Sequence, residues 1–182
     1  MRELSLNILD IAENSLKAKA TVVTIDVTVD EDFVTITIDD NGCGMSAEFL
    51  AKVTDPFTTT RTTRKVGMGI PLIKMAAEQC GGSFEITSLV DVGTTLKASF
   101  GRHNIDRPPL GSVGESIMTL LPDIGETRLI FSYQAFGQTF VLDSDEIKQQ
   151  LDGIPLDEPE ILLFIKQMID ENITTINGGN VI

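Results

Sequence analysis

Four polar residues near the start of the chain have a spacing that could serve phosphate chemistry. Asn7, Asp10, Asn14 and Lys17 lie three, four and three residues apart, which would place them on one stripe of an α-helix. An asparagine oxygen suits Mg²⁺, a carboxylate one turn away can orient a nucleophile, and a lysine can contact a phosphate. The same spacing is typical of a solvent-facing stripe, so both interpretations stay open.

A second candidate is the segment DDNGCG, in which a strand-like run ends. The apolar residues of FVTITIDD alternate, and Asp40 continues their parity. We therefore expect Asp40 to point into the buried face of a sheet and Asp39 to point outward. A carboxylate on a buried face is costly unless it has a partner. With Gly42 and Gly44, the pattern Asp-x-Gly-x-Gly is a weak signal by itself, because a tight turn explains it equally well.

The long segment TDPFTTTRTTRKVGMG is a third candidate, and a loop of this length is often a lid or a binding segment. Arg61, Arg64 and Lys65 concentrate positive charge there, and the alternative is a solvated loop. Gly67 and Gly69 precede a helical pattern, so backbone amides could approach an anion. No GxxxxGK[ST] occurs, which excludes a P-loop.

Hydrophobic periodicity predicts the elements that must position these residues. Helical spacing covers residues 4–19, 46–53 and 70–80. Alternation predicts two antiparallel hairpins, built from the segments 21–29 with 33–40 and 83–90 with 94–100.

A segment rich in proline and glycine, GRHNIDRPPLG, suggests a domain boundary. We expect one domain over residues 1–102 and a small α+β module over residues 103–182. The second contains a predicted hairpin at 127–142 and two helices, one opened by a capping box of Asp143 and Glu146 and one at 159–173. Partner docking or homodimerisation is the role expected for this module, by exclusion.

Composition narrows the classes of partner and compartment. The formal net charge of -13 repels nucleic acid phosphates, so a DNA-binding role is disfavoured. No apolar run approaches the ~18 residues of a membrane helix, and the start lacks the unbroken apolar stretch of a secretion signal. We expect a cytoplasmic protein without a membrane segment, in which Cys43 and Cys80 are reduced thiols.

The order of the motifs is more specific than any one of them. DIAENSLKA, DNGCGM, GMG and GTT resemble, in the correct order, the N-box, the two glycine boxes and the last motif of the GHKL superfamily. This is the Bergerat fold shared by gyrase B, Hsp90, the histidine kinases and MutL, and the resemblance covers about residues 4–101. It implies an α+β fold, the Bergerat-type α/β sandwich with a mixed, largely antiparallel sheet covered by helices, and a domain that binds ATP with Mg²⁺.

The resemblance assigns an adenine end. Asp40 matches the aspartate that accepts a hydrogen bond from the adenine amino group, and Thr94 matches the threonine of the same network. Gly42 and Gly44 match the glycines that let the backbone pass close to the base.

It also assigns a phosphate end. Asn14 matches the Mg²⁺ ligand, and Lys17 is similar to a lysine that approaches phosphate in histidine kinases. Gly67 and Gly69 match the glycines that close the ATP lid. The candidate phosphate contacts in the lid are Arg61, Arg64 and Lys65.

Among the branches of the superfamily, the short domain best resembles the histidine kinases and anti-sigma factors. Asp10 stands where the ATPases and serine kinases of this superfamily typically have a glutamate general base, and aspartate is one methylene, about 1.5 Å, shorter. The single histidine, His103, lies in the apparent linker and is read as a surface residue. We therefore expect ATP-dependent phosphotransfer to a partner protein. The alternatives are an ATP-binding switch or slow ATPase, and a scaffold that has lost nucleotide binding.

Overall fold

The computed structural model of the chain describes residues 3–54, 68–180 and 182. In chain order its helices and strands are α1 (Leu4–Lys17), β1 (Val22–Val29), β2 (Phe33–Asp40), α2 (Ala47–Val53), α3 (Gly69–Gln79), β3 (Ser83–Leu89), β4 (Gly93–Gly101), α4 (Val113–Leu120), β5 (Arg128–Ala135), β6 (Gln138–Asp143), α5 (Ser144–Gln150) and α6 (Pro159–Ile176). All three predicted hairpins and all the predicted helices are present, and α4 is a helix that the sequence reasoning missed.

The six strands form one sheet in the order β3-β4-β2-β1-β5-β6. Strands β1 and β5 pair in parallel, and all other neighbours are antiparallel. Along β1 every second residue is buried, as the alternation in the sequence predicts. Its other residues, such as Thr24, Asp26 and Thr28, are half-buried, and they face the opposite side of the sheet.

The helices cover the apolar face of this sheet. Helix α1 packs on β1 and β2, α3 packs on β3 and β4, and α6 packs on β5 and β6. The layer between them contains large side chains without solvent exposure, including Phe100, Phe131 and Tyr133. The predicted α+β sandwich with a mixed, largely antiparallel sheet is confirmed. Among the described helices, none is both long and apolar enough to cross a membrane.

Residues 103–182 continue the same sheet and the same helical layer. Strand β5 lies beside β1, and α4 packs against both α1 and α6. The Pro/Gly-rich connection is held against α1, because the amide of Leu4 donates to the carbonyl of Pro109 at 2.9 Å and that of Ser5 donates to Leu110 at 2.8 Å. The domain boundary at residue 102 stays a prediction.

Candidate functional site

Asp40 ends β2 on the buried face of the sheet. Its side chain is buried, whereas that of Asp39 is exposed, which confirms the parity argument. The cost of burying this carboxylate is offset by two donors: the Ser15 hydroxyl donates to Oδ2 at 2.7 Å, and the Gly42 amide donates to Oδ1 at 2.9 Å. Helix α1 and the loop after β2 therefore hold the carboxylate from two sides.

Thr94 lies directly across the sheet from Asp40. It is the register partner of Asp40 on one side and of Ser88 on the other, so the three residues form a row across β2, β4 and β3. Directly opposed residues in an antiparallel pair have Cβ atoms about 4.5–5.5 Å apart. The hydroxyl oxygens of Thr94 and Ser88 are 2.8 Å apart. The residues assigned to the adenine end are thus brought together by strand register.

The glycine loop after Asp40 is locked to the turn between β3 and β4. The Asp91 amide donates to the Cys43 carbonyl at 2.9 Å. Gly44 has a φ of +61°, and a Cβ there would lie 2.0 Å from the carbonyl oxygen of Leu89. A Cβ at Gly42 would lie 2.8 Å from the Cβ of Ala18. Both glycines are therefore required by packing within the protein, in addition to any role beside a base.

Asp10 lies in the middle of α1, against the first residue of α3. A Cβ on Gly69 would be 3.0 Å from the Cβ of Asp10 and 3.2 Å from its Oδ2. Partial burial, reinforced by the nearby Glu13 carboxylate and opposed by Lys17, raises the pKa of Asp10 above its ordinary value. The predicted base and the second glycine motif are therefore neighbours, and the carboxyl has a stronger affinity for protons than an ordinary aspartate.

The polar stripe on α1 changes from buried to exposed along its length. Asn7 is 2% exposed, and its Oδ1 has no hydrogen-bond partner among the described residues. Asp10 and Asn14 are half-buried, and Lys17 is exposed. Lys17 Nζ lies 2.8 Å from Glu13 Oε2, where it forms an ion pair within the helix. The stripe is thus a solvent-facing one only at its C-terminal end.

The candidate lid residues Arg61, Arg64, Lys65 and Gly67 lie outside the residues that the structure describes. Their assignment to phosphates stays a prediction. Gly69, which closes the same motif, is buried at the start of α3.

Sequence reasoning missed three residues that hold the site. Ser15 and Ser88 contact Asp40 and Thr94, and Asn41 Oδ1 accepts from the amides of Thr21 and Val22 at 2.8 and 2.9 Å. A signal for both serines was present. Each follows the core-facing apolar positions of its element, in the manner of Asp40 on β2. In all three cases a polar residue follows a row of core-facing apolar residues, and this pattern could have identified the two serines.

A sequence model of the histidine kinase-, DNA gyrase B- and HSP90-like ATPases matches residues 2–103. Because this match spans more than half of the chain, the chain belongs to that family. It is 32% identical over 100 residues to the C4-dicarboxylate transport sensor protein DctB of Pseudomonas aeruginosa, covering 53% of this chain and 16% of that protein. It is 28% identical over 101 residues to an NtrY-like sensor histidine kinase of Rickettsia bellii, covering 55% of this chain and 16% of that protein. Each alignment thus spans only a small part of the relative.

One solved structure, described as the N-terminal domain of a DNA repair protein, has a TM-score of 0.51 and 14% identity with this chain. The likeness covers 78% of this chain and 52% of the other, and it concerns the fold alone. Since residues 1–103 are little more than half of the chain, the structural likeness extends into the segment that contains β5 and β6.

Proposed function

We propose that the chain binds Mg-ATP along α1 and transfers its γ-phosphoryl group to a partner protein. The observation that carries this proposal is that two carboxylates lie along α1, one held by its residue Ser15 and one on α1 itself. Asp40 is held by Ser15, while Asp10 adjoins Gly69. Residues 10 and 15 are about 7.5 Å apart along the axis of an α-helix. The base would therefore lie at Asp40, and the triphosphate would extend past Asn14 toward the start of α3.

The residues present are compatible with Mg²⁺. Asn14 offers a neutral amide oxygen on the half-buried side of α1, one turn from Asp10. Mg²⁺ typically keeps several waters and takes few protein ligands together with substrate phosphates, so a single amide oxygen from Asn14 is a suitable protein ligand. When bound, the ion would neutralise charge on the phosphates, and Asn14 would orient it.

Asp10 is the proposed general base. A nucleophilic group of the partner would form a bond to the γ-phosphorus, the bond from phosphorus to the β,γ-bridging oxygen would break, and ADP would leave. Asp10 would accept the proton of the attacking group. The pKa of Asp10 is raised toward neutral pH, and a general base is most effective when its pKa lies near the operating pH. The N-terminal amides of α3, which begins at Gly69, favour negative charge beside them.

The test is incubation of the purified chain with γ-³²P-ATP and native lysate from its source. Label should appear on a partner with the wild-type chain and should be absent with Asp10→Asn. ATP binding by both chains is measured in parallel, so that lost transfer is separated from lost binding. Transfer that persists at the wild-type rate in Asp10→Asn would refute the role of Asp10.

A slow ATPase or ATP-driven switch is the second candidate. Two observations favour it: the base is the short Asp10, and the exposed Lys17 is paired with Glu13 at 2.8 Å. A misplacement of ~1 Å can lower a rate by ~100-fold. This function predicts Mg-ATP binding, slow release of phosphate and no labelled partner. Asp10→Glu should then accelerate hydrolysis, and an unchanged rate would contradict the limitation by reach.

A further inference from the structure

Ser88 makes three polar contacts at the edge of the proposed adenine end. Its hydroxyl oxygen lies 2.8 Å from the Met45 amide nitrogen, 2.9 Å from the Gly93 carbonyl oxygen and 2.8 Å from the Thr94 hydroxyl oxygen. The side chain is half-buried on β3. It therefore joins β3 to the glycine loop and to the start of β4 through a single atom.

Counting protons assigns the direction of each bond. A serine hydroxyl has one proton to donate and two lone pairs to accept with. The Met45 amide can only donate and the Gly93 carbonyl can only accept. All three contacts are hydrogen bonds only if Ser88 donates to Gly93 and accepts from both Met45 and Thr94. The hydroxyl proton of Thr94 is then directed at Ser88, and both of its lone pairs are left to accept from neighbours.

The carboxylate of Asp40, like the Thr94 hydroxyl in this arrangement, can only accept further hydrogen bonds. Ser15 and Gly42 occupy one lone pair on each of its oxygens, and the others remain available. Asp40 and Thr94 are register partners, so this end of the site presents acceptors from two neighbouring strands. Acceptors held in this way favour a base edge that carries an amino group, and they disfavour one that carries a carbonyl oxygen.

We propose that Ser88 is a positioning residue that determines base specificity, because it fixes the Thr94 hydroxyl as an acceptor and so selects 6-amino over 6-oxo purine nucleotides. This inference rests on the proposed nucleotide function. Without Ser88, the Thr94 hydroxyl is free to rotate and to donate to a 6-oxo group. Ser88 does not contact the nucleotide in this scheme, and it acts only through Thr94.

The experiment measures the dissociation constants of ATP and of inosine triphosphate, which differ in the 6-amino group, for four full-length chains. These are wild type, Ser88→Ala, Ser88→Thr and the control Ser83→Ala, an exposed position on the same strand. The preference for ATP should fall by about 5- to 10-fold in Ser88→Ala, as expected for one hydrogen bond. Ser88→Thr, which keeps a hydroxyl, should restore the preference, and Ser83→Ala should retain it.

The outcomes separate the two proposals. If wild type binds neither nucleotide, the proposed function is wrong and the inference falls with it. If wild type binds ATP but Ser88→Ala retains the wild-type preference, the inference alone is overturned. An equal loss of affinity for both nucleotides in Ser88→Ala overturns it too, because a merely structural role lowers binding without changing the choice of base.

Discussion

Replacement of Asp40 by asparagine tests the adenine end directly. Asp40 is 8% exposed, and its two oxygens accept from Ser15 and Gly42. In Asp40→Asn the amide oxygen can keep the Gly42 bond, and the new NH₂ group can donate to the Ser15 oxygen. The Ser15 hydroxyl can then donate to the Ile11 carbonyl, which is already 3.4 Å away. The fold should therefore lose only about 1 kcal/mol, because few polar groups are left unpaired.

Nucleotide binding should suffer much more than stability. A hydrogen bond to a charged acceptor contributes about 1.5–3 kcal/mol, so removing the charge should weaken ATP binding by roughly 10- to 150-fold. At an ATP concentration about 100 times the wild-type dissociation constant, ligand binding adds about 2.7 kcal/mol of stability, which falls to about 0.4 kcal/mol after a 100-fold loss of affinity. For a chain of this size 1 kcal/mol corresponds to about 2–4 °C, so a shift of about 5–10 °C should fall to about 1 °C.

The assay is thermal denaturation with and without Mg-ATP, and the chain offers a matched control. Asp39 is the preceding residue, points to the opposite face and contacts the Thr95 hydroxyl. Asp39→Asn removes the same charge from the neighbouring position and should keep the full shift. The reasoning is refuted if Asp40→Asn keeps the wild-type shift, or if Asp39→Asn loses as much. No shift in the wild-type chain would favour a scaffold without nucleotide.

Three further substitutions test the parts that hold the site. Burial raises the pKa of Asp10, so the folded state binds this proton more tightly than the unfolded state, and stability is lost as pH rises from the ordinary pKa through the raised one. Asp10→Asn should therefore stabilise the chain at pH 7 but not at pH 3, measured by urea denaturation at both values, and equal effects at both would contradict this. Ser15→Ala removes a donor from the buried Asp40 and should destabilise the fold by about 1–3 kcal/mol in the same assay; a neutral effect would show that Asp40 finds another partner. Gly44→Ala should cost more than Gly178→Ala, although their φ values of +61° and +60° are alike, because a carbonyl oxygen lies 2.0 Å from the Gly44 Cβ position while nothing lies within 3.9 Å at Gly178. Strained backbone alone costs roughly 1–2 kcal/mol, and comparable losses of melting temperature in the two variants would rule out the close approach.

Much of the fold could be predicted because local pattern and burial agree along most of the chain. The alternation in β1 and β2 and the periodicity of α1 directly reflect one buried face, and a buried face requires a second layer. Helix α4 escaped prediction because VGESIMTL is short and the glycines around it are typical of a loop. Its apolar side is buried between α1 and α6, which only tertiary packing supplies.

The sequence by itself determined that Asp40 faces inward, because in a regular strand of period two the second residue after the buried Ile38 shares its face. It also carried the order of motifs by which the family is recognised. Only the tertiary structure decided which residues complete the site. Ser15 comes from α1 and Ser88 from β3, and they reach Asp40 and Thr94 through a helix packing angle and a strand register that no local pattern encodes. Contacts between residues distant in sequence depend on how separate elements pack. This packing brings together the polar side chains at one end of the apolar rows of α1, β2, β3 and β4.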